Sequence, residues 1–131
     1  MNAEWEMVKE FHVRFRHPVA ETPKALETNR VITRCKWMHE EINEFLESET
    51  LYEQADAIVD LIYFALGTLV EMGIPPGELF AVVHEANMKK LWADGVPHYG
   101  VDGKTIKPYN WVDPEPQFIE IIERLKLGIA E

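Results

Sequence analysis

The sequence predicts an all-α fold: a small four- to five-helix bundle with a C-terminal loop rich in Gly, Pro and aromatic residues. Three observations carry that expectation. Apolar residues recur at helical spacing in segment after segment, strand-like alternation is absent outside one short stretch, and helix start and stop signals punctuate the chain. The first segment, residues 3–16, places Trp5, Val8, Phe11 and Phe15 at helical spacing. "RHPVAETP" ends it, because Pro18 and Pro23 cannot continue a helix. A second helix is expected from Lys24 to Glu47, with Met38, Ile42, Phe45 and Leu46 as its apolar face. "ESETLYEQ" reads as a turn in which Thr50 caps the next helix. That third helix continues to Met72, with Gly73 as its stop. Pro75 and Pro76 introduce a fourth helix ending near Trp92. Between Ala93 and Pro116, "VDGKTI" looks like a tight turn or small hairpin. The last helix lines up Phe118, Ile121, Ile122 and Leu125.

The chain has 131 residues, enough for one compact domain with its own core, and 1–131 is read as that domain. The net charge of −10 argues against a nucleic-acid polymer or an anionic membrane surface as partner. It leaves room for a phosphate-bearing small molecule held through a cation, since carboxylates attract Mg²⁺ and Mg²⁺ attracts phosphate. Cys35 is the only cysteine, so no intrachain disulfide forms and no Cys/His metal pattern exists. The N-terminal stretch is charged and periodic, unlike a signal peptide. The longest apolar run, "IVDLIYFALGTLV", is broken by Asp60 and too short to span a bilayer. A cytoplasmic location is the expectation.

Acidic residues stand against apolar faces in two consecutive helices. In the second, Glu40, Glu41 and Glu44 point the same way at i, i+3 and i, i+4 spacing. In the third, apolar residues from Ile58 to Leu66 surround the helix almost completely, marking it as the central, buried one. One stripe differs: Glu53, Asp56, Asp60 and Gly67 lie within an arc of about 60°. An unpaired carboxylate at Asp60 must be neutralised, by a cation, a shared proton or a basic side chain. Arg30, Arg34, Lys36 and Lys90 are the basic candidates for a purely structural ion-pair network. Two facing acidic stripes in an antiparallel pair make instead a cluster of hard oxygen ligands suited to Mg²⁺ or Mn²⁺ rather than Zn²⁺.

"EEINE", holding Glu40, Glu41 and Glu44, followed by "DAIVD", holding Asp56 and Asp60, resembles the EExxE…ExxD signature of the all-α NTP pyrophosphohydrolases. "EFH" in the first helix, "ANMKKL" in the fourth and "DGKTIKPYNW" after it are similar to a MazG-like, phosphoribosyl-ATP pyrophosphohydrolase-like branch. The likeness spans residues 5–115. In the family, Glu stands three residues before the last acid. Here that position is Ala57, and Asp56, one residue earlier, is the expected substitute. The resemblance implies hydrolysis of a nucleoside triphosphate, a dNTP first, to the monophosphate and pyrophosphate. It implies Mg²⁺ held by Glu41, Glu44, Asp56 and Asp60, with Glu40 or Glu41 orienting or deprotonating the water. It further implies a homodimer or homotetramer.

Candidate substrate contacts are Arg34, Lys90 and Lys104 for phosphates, Asn87 for sugar or base, and Tyr109 and Trp111 for stacking. Asn87 is expected inside the apolar face of the fourth helix. Each also has a plainer reading, as surface charge or as loop packing. His12, His84 and Cys35 are read as structural residues. Two other functions stay open: hydrolysis of phosphoribosyl-ATP or another nucleotide, and a non-catalytic helical module that binds a nucleotide or protein partner.

Overall fold

The computed structural model describes residues 1–128. They form α1 (Asn2–Arg14), α2 (Thr28–Glu47), α3 (Leu51–Met72), α4 (Gly77–Met88) and α5 (Glu115–Lys126). No strand is present among the described residues, and the all-α expectation holds. The chain divides into two compact units, Met1–Pro76 and a second beginning at Gly77.

In the first unit α3 packs against both α1 and α2. Trp5 and Val8 of α1 meet Leu66 and Val70 of α3 to form the core, flanked by Val19 and Leu69. The face α1 buries is Trp5, Val8 and His12, at i, i+3, i+7 spacing. Phe15 instead lies exposed. Burial of a histidine there is affordable because its ring nitrogen Nδ1 bonds to the Pro18 carbonyl at 2.8 Å.

The second helix begins at Thr28, four residues later than its pattern suggested. The preceding segment is occupied elsewhere. The Ala20 and Lys24 amides donate to the carbonyls of Val70 and Met72 at the end of α3, groups a helix C-terminus leaves without partners. Gly73 makes this possible. Its φ of +70° closes α3 in the left-handed conformation, and a Cβ there would stand 2.5 Å from the Thr22 carbonyl oxygen. At the other end of α3, Thr50 accepts a hydrogen bond from the Glu53 amide, while the Glu53 carboxylate accepts from the Thr50 hydroxyl and the Glu49 amide. This reciprocal cap fixes where the helix starts. It also commits Glu53 to the cap, leaving Asp56 and Asp60 as the acids of the stripe.

Two expectations of burial fail. The α2 face of Ile42, Phe45 and Leu46 is exposed, and so are Ile58, Val59, Ile62 and Tyr63 of α3. Three helices of this length cannot wrap an apolar α3 on all sides. Its buried positions are Ala57, Leu66, Gly67, Val70 and Glu71.

The second unit pairs α4 with α5. Leu79, Ala86 and Ile121 are buried, and Arg124 of α5 pairs with Glu78 of α4. The fourth helix stops at Met88, short of Trp92. There the chain tightens into i→i+3 bonds, Lys90 to Asn87 and Leu91 to Met88. The hairpin reduces to a single antiparallel bridge between Tyr99 and Thr105 around a turn in which Gly103 has φ +81°.

Candidate active site

The face of α2 turned to α3 reads Arg30, Arg34, Trp37, Glu41 and Glu44, an alternation of three- and four-residue steps. Opposite it on the antiparallel α3 stand Glu71, Thr68, Phe64, Asp60 and Asp56. The seam has three zones: a cationic end locked to one glutamate, an aromatic middle, and an acidic end.

At the cationic end Glu71 is 1% exposed and Arg34 3%. Arg30 grips the Glu71 carboxylate with two nitrogens, Nε to Oε1 at 2.6 Å and Nη2 to Oε2 at 2.9 Å. Arg34 adds Nη1 to Oε2 at 3.0 Å. Its Nε donates to Thr68 Oγ1 at 3.0 Å and its Nη2 to the Phe64 carbonyl at 2.7 Å. Burial pulls the Arg34 guanidinium below its usual pKa, while the hydrogen bonds Arg30 donates to Glu71 hold Arg30 above its own. Both stay charged, as guanidinium groups in proteins do. Gly67 gives Arg34 its room, since a Cβ there would lie 2.5 Å from Nη2.

In the middle, Trp37 and Phe64 meet with ring centroids 5.9 Å apart, and the Arg34 guanidinium lies 5.1 Å and 5.7 Å from their centroids. Beside them opens a cavity of about 430 Å³ lined by Phe11, His12, His17, Arg34, Trp37, Glu40, Tyr63 and Phe64. Its walls are mostly aromatic, with a few polar groups, the make-up of a small-molecule site.

At the acidic end the carboxyl groups of Glu41 and Glu44 neighbour each other, and their interaction favours a proton on Glu41. That interaction, then burial, then the charges of Glu44, Asp60 and Asp56 push the Glu41 pKa up to about 7. Asp60 is also raised, first by burial and then by Asp56 and Glu44. The Glu41 Oε2 atom is buried without a hydrogen-bond partner. A depression of about 290 Å³ adjoins these acids, lined by Glu44, Glu47, Glu53 and Asp56 among others. No ion pair among the described residues involves Glu40, Glu41, Glu44, Asp56 or Asp60. Arg30 and Arg34, candidates for neutralising them, are committed to Glu71 instead.

The donor set fits a hard divalent cation: it consists of carboxylate oxygens, carries unrelieved repulsion, and includes an orphaned oxygen. No three His, Cys, Asp or Glu side chains among the described residues are already arranged to hold one. Ligation would therefore draw the acids inward from their present positions.

Six further expected contacts can be located. Arg34 is held by Glu71, Thr68 and the Phe64 carbonyl and lines the cavity from that fixed position. The other five lie in the second unit. Asn87 is exposed, not buried: α4 turns Leu79 and Ala86 inward and leaves Val83 and Phe80 outside. The Trp111 indole donates to the Ala86 carbonyl at 2.7 Å, with Lys90 and Lys107 5.6 Å and 4.8 Å from its ring centroid. Lys104 is exposed, and Tyr109 is 99% exposed. A cavity of about 510 Å³ in this unit is lined by Glu85, Lys89, Asn110 and Trp111 among others, without a cluster of acids.

Glu71 was legible and missed. It falls within about 20° of Asp60 on the helical wheel, so it belongs to the same stripe. His12 was passed over because Phe11, its neighbour, satisfied the apolar pattern.

A family model for phosphoribosyl-ATP pyrophosphohydrolase matches residues 8–87, which include α2, α3 and all five acids. A solved structure from Exiguobacterium sp. 255-15, named as a candidate NTP pyrophosphohydrolase, is 30% identical to this chain. It covers 95% of this chain and 97% of its own length, with a TM-score of 0.52. No curated protein matches. No helix among the described residues is long and apolar enough to cross a membrane. The match over residues 8–87 and the whole-length likeness support pyrophosphohydrolysis of a nucleotide, and the chain belongs to the phosphoribosyl-ATP pyrophosphohydrolase family.

Proposed function

We propose that the protein hydrolyses a nucleoside triphosphate, a deoxynucleotide first, to the monophosphate and pyrophosphate with Mg²⁺. The observation that carries this is an acidic cluster left without a basic partner among the described residues, one helical turn from an aromatic cavity. Glu41, Glu44, Asp56 and Asp60 would hold the ion. When bound, it neutralises phosphate charge and polarises the phosphoryl oxygens. The base would stack in the cavity between Trp37, Phe64 and Tyr63, and the triphosphate would extend along the seam towards Asp60. A water oxygen bonds to the α-phosphorus, the bond to the bridging oxygen breaks, and pyrophosphate leaves. Glu40, at the cavity edge, or Glu41 takes the water proton. Mn²⁺ is the natural substitute ion.

The test is a nucleotide panel with Mg²⁺, Mn²⁺ or EDTA, scored for pyrophosphate release. Metal-dependent release from at least one nucleoside triphosphate is expected. Release from phosphoribosyl-ATP alone would move the substrate and keep the chemistry. Nucleotide binding without turnover would favour a non-catalytic module.

A further inference from the structure

His12 is a buried histidine that the acid chemistry does not use. It is 2% exposed yet lines the aromatic cavity. Its Nδ1 lies 2.8 Å from the Pro18 carbonyl oxygen. A carbonyl can only accept, so Nδ1 carries the hydrogen. Burial, and then Arg34 among the nearby charges, pull the ring pKa down, so the imidazole is neutral near pH 7 and Nε2 holds a lone pair. Among the described residues, the hydrogen bond of the His12 ring is the one Nδ1 makes, and none reaches Nε2. Beside it stands Arg34 Nη2, which spends one of its two N–H groups on the Phe64 carbonyl. The point where a Gly67 Cβ would stand is 2.9 Å from His12 Nε2 and 2.5 Å from Arg34 Nη2. Gly67 therefore keeps a hydrogen-bond acceptor and a cationic donor side by side at the cavity wall. A nucleobase edge presents the complement, an N–H next to a carbonyl or ring nitrogen.

We propose that His12 is a specificity residue: its Nε2 accepts a hydrogen bond from an N–H of the substrate's base, and Gly67, by lacking a side chain, lets His12 and Arg34 pack against α3 in the positions that contact needs. The inference rests on the reading of the cavity as the base site. The ligand class is a nucleoside triphosphate whose base carries an N–H on its pairing edge, and bases with that edge alkylated are rejected. Arg34 contributes a fixed donor beside it, held in place by Glu71.

The experiment compares kcat/KM for dUTP against N3-methyl-dUTP and for dCTP against N4,N4-dimethyl-dCTP, in wild type, His12→Phe and His12→Gln. Wild type should prefer the unmethylated member of at least one pair by about tenfold or more. His12→Phe should lose that preference through a raised KM for the unmethylated nucleotide, with kcat little changed. His12→Gln, whose amide oxygen can replace Nε2, should restore it. A folded His12→Phe with the wild-type preference overturns the proposal. A separate readout needs neither turnover nor a substitution: the ¹⁵N resonance of His12 Nε2 in wild type should shift when dUMP or dCMP binds. An Nε2 resonance unmoved by both saturating monophosphates also overturns it. If wild type hydrolyses no nucleotide while Nε2 still shifts, the pyrophosphohydrolase reading fails and the base contact stands.

Discussion

Arg34 donates from Nη1 to Glu71 Oε2 at 3.0 Å, and the two side chains are 4% and 0% exposed. This pair, reinforced by Arg30, takes the only two arginines of α2 out of reach of the acids farther along the same helix. A buried ion pair adds little over an apolar contact of the same shape, but losing one partner strands the other charge. Glu71→Gln leaves two guanidinium groups facing a neutral amide. It should cost about 3–5 kcal/mol in urea unfolding. A loss under about 1 kcal/mol would mean that water already screens the pair.

Asp60 poses the opposite case. Its carboxyl is raised towards the protonated form by burial and by Asp56 and Glu44. Asp60→Asn removes a strained charge and keeps the shape. Turnover should fall by at least a hundredfold, while the melting temperature of the metal-free protein stays level or rises. Wild-type turnover in this variant would remove Asp60 from the ligand set.

The same repulsion makes metal-free stability depend on pH. Glu41 titrates near 7 in the fold, against an ordinary value of 4.5, so between those limits the native state binds more protons than the unfolded chain. Stability then decreases as pH rises through that window. With EDTA, the melting temperature should drop from pH 5 to pH 8, and millimolar Mg²⁺ should recover it at pH 8, where the carboxylates are free to bind. A melting temperature that rises with pH in EDTA would contradict the raised Glu41 pKa.

In the second unit, two residues once grouped as substrate contacts should separate. Trp111 holds its loop to α4 through the Ala86 carbonyl, so Trp111→Ala should destabilise by about 1–3 kcal/mol. Asn87 is exposed, and Asn87→Ala should stay within about 0.5 kcal/mol of wild type. Thermal melts of both variants decide it.

Much of this was legible in the sequence because local rules set it. Thr50 and Gly73 bracket α3 where their chemistry requires. The stripe spacing put Asp56 and Asp60 opposite Glu41 and Glu44. What failed depended on tertiary competition. Lys24 reads as helical, but its amide serves the end of α3. Ile42, Phe45, Ile58 and Ile62 read as core, and in the single chain each stays 37–46% exposed. We propose that further copies of this chain cover them, as a homodimer or homotetramer; sedimentation equilibrium of an active monomer at micromolar concentration would refute it. Arg30 and Arg34 could have partnered any acid in the stripe, and wheel positions alone could not choose Glu71 over Asp60.

The central claim is that the unpaired acids serve phosphoanhydride hydrolysis at the α-phosphorus. ³¹P NMR of the protein with a hydrolysable deoxynucleoside triphosphate and Mg²⁺ tests it directly. The account predicts monophosphate and pyrophosphate signals growing together in equal amounts, and neither growing with EDTA or with Asp60→Asn. Diphosphate and orthophosphate as the products, or the same products undiminished in EDTA, would contradict it.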